Sequence, residues 1–209
     1  LYRAWLRGRG RFFLRDVSPA FSPTSESALQ SAVAVVQGEF KFFGRWNVDL
    51  GTPPDWFLNP VSGTRYDGTC QWTQVRDMDL EVGDIKYVWE ASGFAHVYTL
   101  VRAFAASGSN TYPELFWRHV EDWVGANFAE KGPQWRCAQE MSLRVIAWTF
   151  GLHAFANHPS STSSRIGLLL AQIWAHLRHV NRIHWFARRC IRNDHTFTEA
   201  AALLTGRHR

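Results

Sequence analysis

A short polar stretch near the end of the chain carries residue types that acid–base chemistry needs. Asn193, Asp194 and His195 are consecutive, and Glu199 follows one helical turn later. An amide, an imidazole and a carboxylate near a helix N-terminus could hold an anionic group and move a proton beside it. The same residues could form an ordinary helix cap with a solvated histidine, because Asn and Asp side chains accept hydrogen bonds from the first turn. Taken alone, the stretch favours the cap.

The composition predicts one globular domain that prefers anionic partners. The chain has 209 residues, enough for one substantial hydrophobic core, and 46% of them are apolar against 20% charged. The formal net charge of +5 favours nucleic acid, acidic polysaccharide or anionic lipid, without choosing among them. The 11 tryptophans can fill a core or form platforms for flat ligands and sugar rings.

The cysteines and the hydrophobic windows exclude two classes of protein. Cys70, Cys137 and Cys190 are widely spaced and form no CxxC pair, so we expect neither a disulfide framework nor a structural metal. We expect no other cofactor. The most apolar window, residues 141–156, contains an arginine and a histidine and is too short to cross a bilayer. The sequence therefore predicts a soluble protein with no membrane contact.

The first part of the chain has a different character from the rest. Segment 1–36 is basic and contains a Ser- and Pro-rich linker, followed by a short helix predicted over residues 27–36. From residue 40 to residue 82, Gly and Pro are too frequent for a long helix. The aromatic residues of this stretch either cover a hydrophobic face or form the wall of a ligand groove. They include Trp46, Trp56, Phe57, Tyr66 and Trp72.

After residue 83 the hydrophobic pattern is helical. The i, i+3, i+4, i+7 spacing of apolar residues predicts five helices. They cover residues 84–107, 112–124, 137–156, 165–191 and 196–204. Gly108 is expected to end the first of them, and the third is apolar on most sides, as a helix buried between neighbours should be. The pattern predicts an all-α fold of antiparallel helix hairpins, preceded by an irregular, aromatic-rich segment.

The fourth predicted helix is rich in basic residues. His176 and His179 lie three residues apart, and no third ligand for a metal ion is evident. We therefore expect these two histidines and four arginines to form a solvated basic face. The arginines are Arg178, Arg182, Arg188 and Arg189.

Several short motifs occur in an order that resembles one family. They are FKFFG at 40–44, LGTPPDW at 50–56, NPVSG at 59–63, GDIKYVWE at 83–90, WRCAQE at 135–140 and NDH at 193–195. Together they resemble the N-terminal domain of the heparinase II/III-like polysaccharide lyases, which include heparin, heparan sulfate and alginate lyases. The resemblance implies an incomplete (α/α) toroid over residues 37–209. In full-length relatives, the rest of the toroid and a β-sandwich domain follow.

The activity that the resemblance implies is β-elimination at a uronic acid, which leaves a 4,5-unsaturated uronate end. The uronate carboxylate is neutralised, a base removes the C5 proton, and an acid protonates the departing oxygen at C4. His195 matches the family's histidine, and Glu199 matches a glutamate expected to orient His195 or a sugar hydroxyl. The family has Asn directly before this histidine, whereas this chain has Asp194 there and Asn193 one position earlier. An ionised Asp194 would repel the substrate carboxylate unless it is protonated or turned away.

Further substrate contacts are expected on the walls of the groove. Trp135, Glu140 and Arg144 match the family's groove-facing pattern, although Glu140 and Arg144 at i, i+4 equally predict a structural ion pair. The aromatic loop contributes Trp72. The later Tyr that usually serves as the acid in the family, and the family's later His, are not assigned in this chain, whose tyrosines all lie at or before residue 112.

These features leave two hypotheses about function. The first is a lyase for an acidic polysaccharide, of which this chain would be a truncated part with little or no turnover by itself. The second is a non-catalytic binding module for an anionic polysaccharide, and nucleic acid is not expected as a partner. The resemblance implies a periplasmic or secreted location, with the cytoplasm left open. The oligomeric state is not predicted.

Overall fold

The computed structural model describes Arg3, residues 26–191 and residues 193–205. Most of the basic segment and linker predicted before residue 26 therefore lie outside the described residues. The described chain is mostly α-helical, which confirms the predicted class. Its helices are α1 (Glu26–Val36), α2 (Lys86–Ser92), α3 (His96–Ser107), α4 (Thr111–Ala126), α5 (Ala138–Phe155), α6 (Ser163–Phe186) and α7 (Asp194–Thr205).

Four of the predicted helices are confirmed, namely α1, α4, α5 and α7. The single helix predicted over residues 84–107 is wrong, because α2 and α3 are separate. Phe94, between them, has φ of 59°, a conformation that cannot continue a right-handed helix. Its ring is fully buried and stacks on Trp56 with centroids 5.4 Å apart, so core packing holds the break in place. Helix α3 ends, as predicted, at Gly108, where φ is 66°.

The long helix predicted over residues 165–191 is α-helical only as far as Phe186. It continues as a π-helix over Ala187–Ile191. Helix α6 begins after Thr162, whose side chain accepts a hydrogen bond from the Arg165 backbone N–H. The π-helical segment leads directly towards the start of α7.

The segment between α1 and α2 contains three antiparallel two-stranded ribbons. They pair β1 (Glu39–Phe42) with β2 (Trp46–Asp49), β3 (Leu58–Asn59) with β4 (Thr64–Arg65), and β5 (Met78–Asp79) with β6 (Gly83–Asp84). No long helix forms there, as predicted, but the ribbons were missed. In β1, Phe40 and Phe42 are buried while Glu39 and Lys41 are exposed. A period-two pattern this short is too weak to distinguish a strand from a loop.

The hydrophobic core surrounds α5, which packs against α3, α6 and α7. Met141, Trp148 and Phe155 of α5 are completely buried, so the expectation of a helix apolar on most sides is confirmed. Helix α1 packs on α3 and adds Ala32 and Val35 to the same core. The division between segments 1–36 and 37–209 remains a prediction.

The described helices include none with the length and apolar character that crossing a membrane requires.

Candidate functional site

His195 lies in the wall shared by two adjoining cavities. The larger has a volume of about 520 Å³ and the smaller about 180 Å³. Four residues line both cavities, namely Lys86, Trp89, Cys137 and His195. The imidazole is half-buried, so it is not sealed inside the core. The fold thus brings α2, the start of α5 and the start of α7 together around one histidine.

The position of His195 follows from the way α7 begins. The Asn193 side-chain Oδ1 accepts a hydrogen bond from the His195 backbone N–H at 3.0 Å. This confirms the predicted cap and places His195 in the first turn of the helix. Helix α7 then packs along α5, which fixes its N-terminus beside the cavities. The catalytic role expected for Asn193 and His195 remains a prediction.

Asp194 lines neither cavity but is hydrogen-bonded to a residue that lines the smaller one. Gln139 Nε2 donates a hydrogen bond to Asp194 Oδ2 at 2.8 Å. This hydrogen bond holds the pKa of Asp194 below its ordinary value, so the side chain is ionised at neutral pH. Gln139 lines the smaller cavity, whereas Asp194 lines neither. The lowered pKa argues against the alternative in which Asp194 is protonated, and the alternative in which it is turned away from a substrate remains a prediction.

Glu199 contacts a different histidine from the one expected. Its Oε2 accepts a hydrogen bond from His184 Nδ1 at 2.8 Å, and the side chain is buried against the larger cavity. Burial raises its pKa. The described hydrogen bonds of Glu199 include none to His195, so the first of its two expected roles is not supported. The carboxylate instead holds His184, near the end of α6. The second expected role, contact with a sugar hydroxyl, remains a prediction.

Glu140 lies beside His195 in the smaller cavity, together with Glu90. Burial is the main cause that raises the pKa of Glu140, and the Glu90 carboxylate raises it further, while Arg144 acts in the opposite direction. Glu90 is fixed by a hydrogen bond from the Phe43 backbone N–H to its Oε1 at 2.8 Å. A carboxyl group that keeps its proton to higher pH than usual can act as a proton donor.

Arg144 does not face the groove, and the expected substrate contact is wrong. The side chain is fully buried, and its guanidinium donates to the Ser92 carbonyl, to Gln134 and to His176. It also lies 4.5 Å from the ring centroid of Trp123. Burial lowers its pKa to about 9. These contacts tie α5 to α2 and α6, so Arg144 stabilises the scaffold, and its hydrogen bonds are not the predicted ion pair with Glu140.

Trp135 is likewise buried, with 1% of its surface exposed, so its expected place on the groove wall is wrong. Its ring packs against His176 with centroids 4.5 Å apart. His176 and His179 are buried as well, which corrects the expectation that they belong to a solvated face. A helix of this length has an inner and an outer side, and residues three apart in sequence share one of them.

The larger cavity has an aromatic rim. Trp72 is half-buried and lines it, as the groove hypothesis expected, whereas Trp56, Phe57 and Tyr66 are buried and support the core. Some residues of the aromatic loop thus support the core, as one hypothesis expected, while the ligand contact expected for Trp72 remains a prediction. Trp185 also lines the larger cavity, and sequence reasoning missed it because an exposed Trp on a helix has no motif.

Lys86 is the second residue that sequence reasoning missed. It is exposed, lines both cavities, and begins α2. Asp84 Oδ1 accepts a hydrogen bond from the Lys86 backbone N–H at 2.9 Å, which fixes the start of the helix. The only signal in the sequence is that Lys86 falls within the motif at 83–90.

Negative charges outnumber positive charges among the described residues that line the two cavities. The carboxylates are Asp77, Asp84, Glu90, Glu140 and Glu199. The basic groups are Lys86, Arg136 and His195. Arg136 is already paired, since its Nε lies 3.0 Å from Asp77 Oδ1. An anionic ligand would therefore bind most favourably on the side of Lys86.

Nucleophilic attack by a thiol and metal binding both find little support among the described residues. Burial raises the pKa of Cys137 to about 11, so its thiol stays protonated and is a poor nucleophile. Within the described residues, no group of three His, Cys, Asp or Glu side chains is arranged to hold a metal ion.

Comparison with known proteins bears on the fold. No protein-family model matches this chain, and no curated protein sequence matches it either. The fold is mostly α-helical and is distantly similar to that of a heparinase-like lyase. One similar solved structure is that of a heparan sulfate lyase HepC mutant from Pedobacter heparinus, with a TM-score of 0.64 and 17% sequence identity. The match covers 98% of this chain and 30% of the lyase chain.

Proposed function

We propose that this protein is a polysaccharide lyase, or the part of one that carries its histidine. The substrate would be an acidic, uronate-containing polysaccharide such as heparin, heparan sulfate or alginate. The observation that carries the proposal is the half-exposed His195, in the shared wall of two cavities, on a fold similar to that of a heparan sulfate lyase. The net charge of +5 agrees with an anionic substrate.

The residues around His195 supply the groups that a β-elimination needs. Lys86 pairs with the uronate carboxylate and thereby makes the neighbouring C5 proton more acidic. His195 removes that proton, and the electron pair left behind forms the C4–C5 double bond as the C4–oxygen bond breaks. Glu140, whose pKa is raised, returns a proton to the departing oxygen. The Asn193 side-chain oxygen is used by the helix cap, and Asn193 lines neither cavity, so no step of the elimination is assigned to it.

The test is the appearance of unsaturated uronate ends. Because little or no turnover is expected of the 209-residue chain by itself, the full-length lyase of which it is proposed to be a part is incubated with heparin, heparan sulfate, hyaluronan and alginate in turn. The ultraviolet absorbance of the conjugated product is followed. We expect absorbance to grow with at least one of them. His195→Ala should abolish the growth, whereas Lys86→Gln should reduce it.

His158→Ala is the matched control, because His158 is half-buried and lines neither cavity. It should retain the activity of the unaltered protein. If His195→Ala and His158→Ala formed product at the same rate, the assignment of the base would be refuted.

One observation favours the alternative, a non-catalytic module that binds acidic polysaccharide. None of the described tyrosines lines either cavity, so the family's usual acid has no counterpart here. On this alternative, binding is saturable and weakens with salt, no absorbance develops, and His195→Ala leaves the affinity unchanged.

A further inference from the structure

The outer side of α6 carries two exposed tryptophans on one line. Trp174, Arg178, Asn181 and Trp185 follow one another at intervals of four, three and four residues, which places them on the same side of the helix. All four are exposed, and Trp174 and Trp185 keep 55% and 58% of their surface accessible. We call these four residues the α6 stripe. Large apolar rings exposed to this degree are unusual unless they contact a ligand or a partner.

The stripe combines flat apolar rings with positive charge. The Arg178 guanidinium carbon lies 5.4 Å from the ring centroid of Trp174, within the range of a cation–π contact. That contact holds Arg178 beside the ring. Trp174 and Arg178 therefore present a flat surface and a hydrogen-bonding cation together.

The helix that carries the stripe, with its π-helical extension, contributes basic side chains and no acidic ones. The sequence from residue 163 to residue 191 contains no Asp or Glu. Arg182 is paired with Glu130 at 2.9 Å, but Arg178, Arg188 and Arg189 are exposed and form no ion pair with a described residue. The basic side chains around the α6 stripe attract a polyanion and repel a second copy of the same surface.

The stripe is continuous with the candidate active site. Trp185 and the neighbouring Phe186 both line the larger cavity, as His195 does. Trp174 lies eleven residues before Trp185 on the same helix, which corresponds to roughly 16 Å along the axis. A ligand that reaches from the cavity to Trp174 must therefore be an extended chain.

We propose that the α6 stripe is an extended binding surface for an acidic polysaccharide chain whose end or middle lies in the His195 cavity. Sugar rings stack on Trp185 and Trp174, and a carboxylate or sulfate group between them pairs with Arg178. The chemical class of this ligand rests on the proposed function. Single-stranded nucleic acid could also stack on the two indoles. Polysaccharide is favoured because the stripe leads into a cavity on a fold similar to that of a heparan sulfate lyase.

The first experiment measures affinity, so it does not depend on turnover. Heparin oligosaccharides of two lengths, a tetrasaccharide and a dodecasaccharide, are titrated into His195→Ala protein and into the same protein carrying Trp174→Ala or Arg178→Gln. Each stripe substitution should weaken binding of the dodecasaccharide by about tenfold, equivalent to about 1.4 kcal/mol, and leave tetrasaccharide binding nearly unchanged. Arg178→Gln should also reduce the salt dependence of binding.

Two variants serve as matched controls for these substitutions. Phe128→Ala removes an aromatic ring that is 64% exposed, and Arg102→Gln removes an exposed cation of α3. Both should bind the dodecasaccharide as the parent does. Equal losses in Trp174→Ala and Phe128→Ala, or equal losses for both oligosaccharide lengths, would overturn the proposal.

The remaining outcomes separate this inference from the proposed function. If the dodecasaccharide binds through Trp174 but no polysaccharide is cleaved, the extended surface stands and the lyase activity fails. If the protein cleaves polysaccharide while Trp174→Ala changes nothing, the surface fails and the lyase stands. Tighter, Trp174-dependent binding of single-stranded DNA than of heparin, or dimers that Trp174→Ala dissociates, would also overturn the polysaccharide assignment.

Discussion

The buried histidine pair His96 and His119 should make the protein unusually sensitive to mild acid. His119 Nδ1 and His96 Nε2 lie 3.2 Å apart, and 4% and 8% of these residues' surfaces are exposed. Burial, followed by repulsion from Arg118, lowers the pKa of His119 from 6.5 to about 4, and the pKa of His96 is lowered too. The pair is therefore neutral in the folded protein, and one imidazole donates the shared hydrogen bond.

The size of the effect follows from His119 alone. Below pH 6.5 His119 is protonated in the unfolded chain, whereas in the folded protein it becomes protonated only as the pH nears 4. Stability is therefore lost as the pH falls through this window. At pH 5 the pH lies about 1.5 units below the pKa of His119 in the unfolded chain, and each unit corresponds to about 1.4 kcal/mol. The neutral His119 therefore lowers the free energy of unfolding by about 2 kcal/mol at pH 5.

The assay is urea unfolding followed by tryptophan fluorescence at about pH 7.5 and about pH 5. The free energy of unfolding should fall between these values in the unaltered protein, and His119 should account for about 2 kcal/mol of the loss. His119→Gln keeps a hydrogen-bonding side chain but cannot titrate, so its pH-dependent loss should be smaller by about 2 kcal/mol, although it starts less stable.

A control variant separates His119 from the other titrating groups. His158→Gln alters a half-buried histidine whose partners are Ser160 and Asn110, and it should keep the pH dependence of the unaltered protein. The reasoning would be refuted if His119→Gln lost as much stability between the two pH values as His158→Gln does.

Two further predictions concern packing and thiol chemistry. A Cβ on Gly151 would lie 2.6 Å from Phe116 Cε2, so Gly151→Ala should lower the free energy of unfolding by about 1–3 kcal/mol. A Cβ on Gly167 of α6 would meet nothing within 4 Å, so Gly167→Ala should raise the free energy of unfolding by up to about 1 kcal/mol. Urea unfolding measures both effects, and equal effects of the two substitutions would contradict the packing around Gly151. Cys190 is exposed, whereas burial raises the pKa of Cys137 to about 11. In timed alkylation followed by mass spectrometry Cys190 should react first, and the reverse order would contradict the burial of Cys137.

Local features of the site were readable from the sequence. The Asn193 cap and the helix that it starts depend on residues within one turn of each other, so their spacing is enough to predict them. The periodic apolar residues of α4 and α5 identified helices for the same reason. The mostly α-helical class followed from these local patterns.

The direction in which a side chain faces was decided by the tertiary structure. Arg144 and Trp135 were expected to contact a ligand and His176 to lie on a solvated face, yet the three form one buried cluster. Their residue types do not reveal burial, because a buried polar group is stable wherever the fold supplies hydrogen-bond partners. Those partners come from distant parts of the chain, such as Ser92, which accepts a hydrogen bond from Arg144.

The sequence by itself determined the mostly helical class and the placement of His195 in the first turn of a capped helix. Only the tertiary structure decided that Lys86 and Glu140 join His195 and that Trp185 continues the cavity wall onto α6. The physical reason is the separation along the sequence of the residues that decide each feature. Helix caps and periodicity act over a few residues, whereas a cavity forms where packing brings separate helices together.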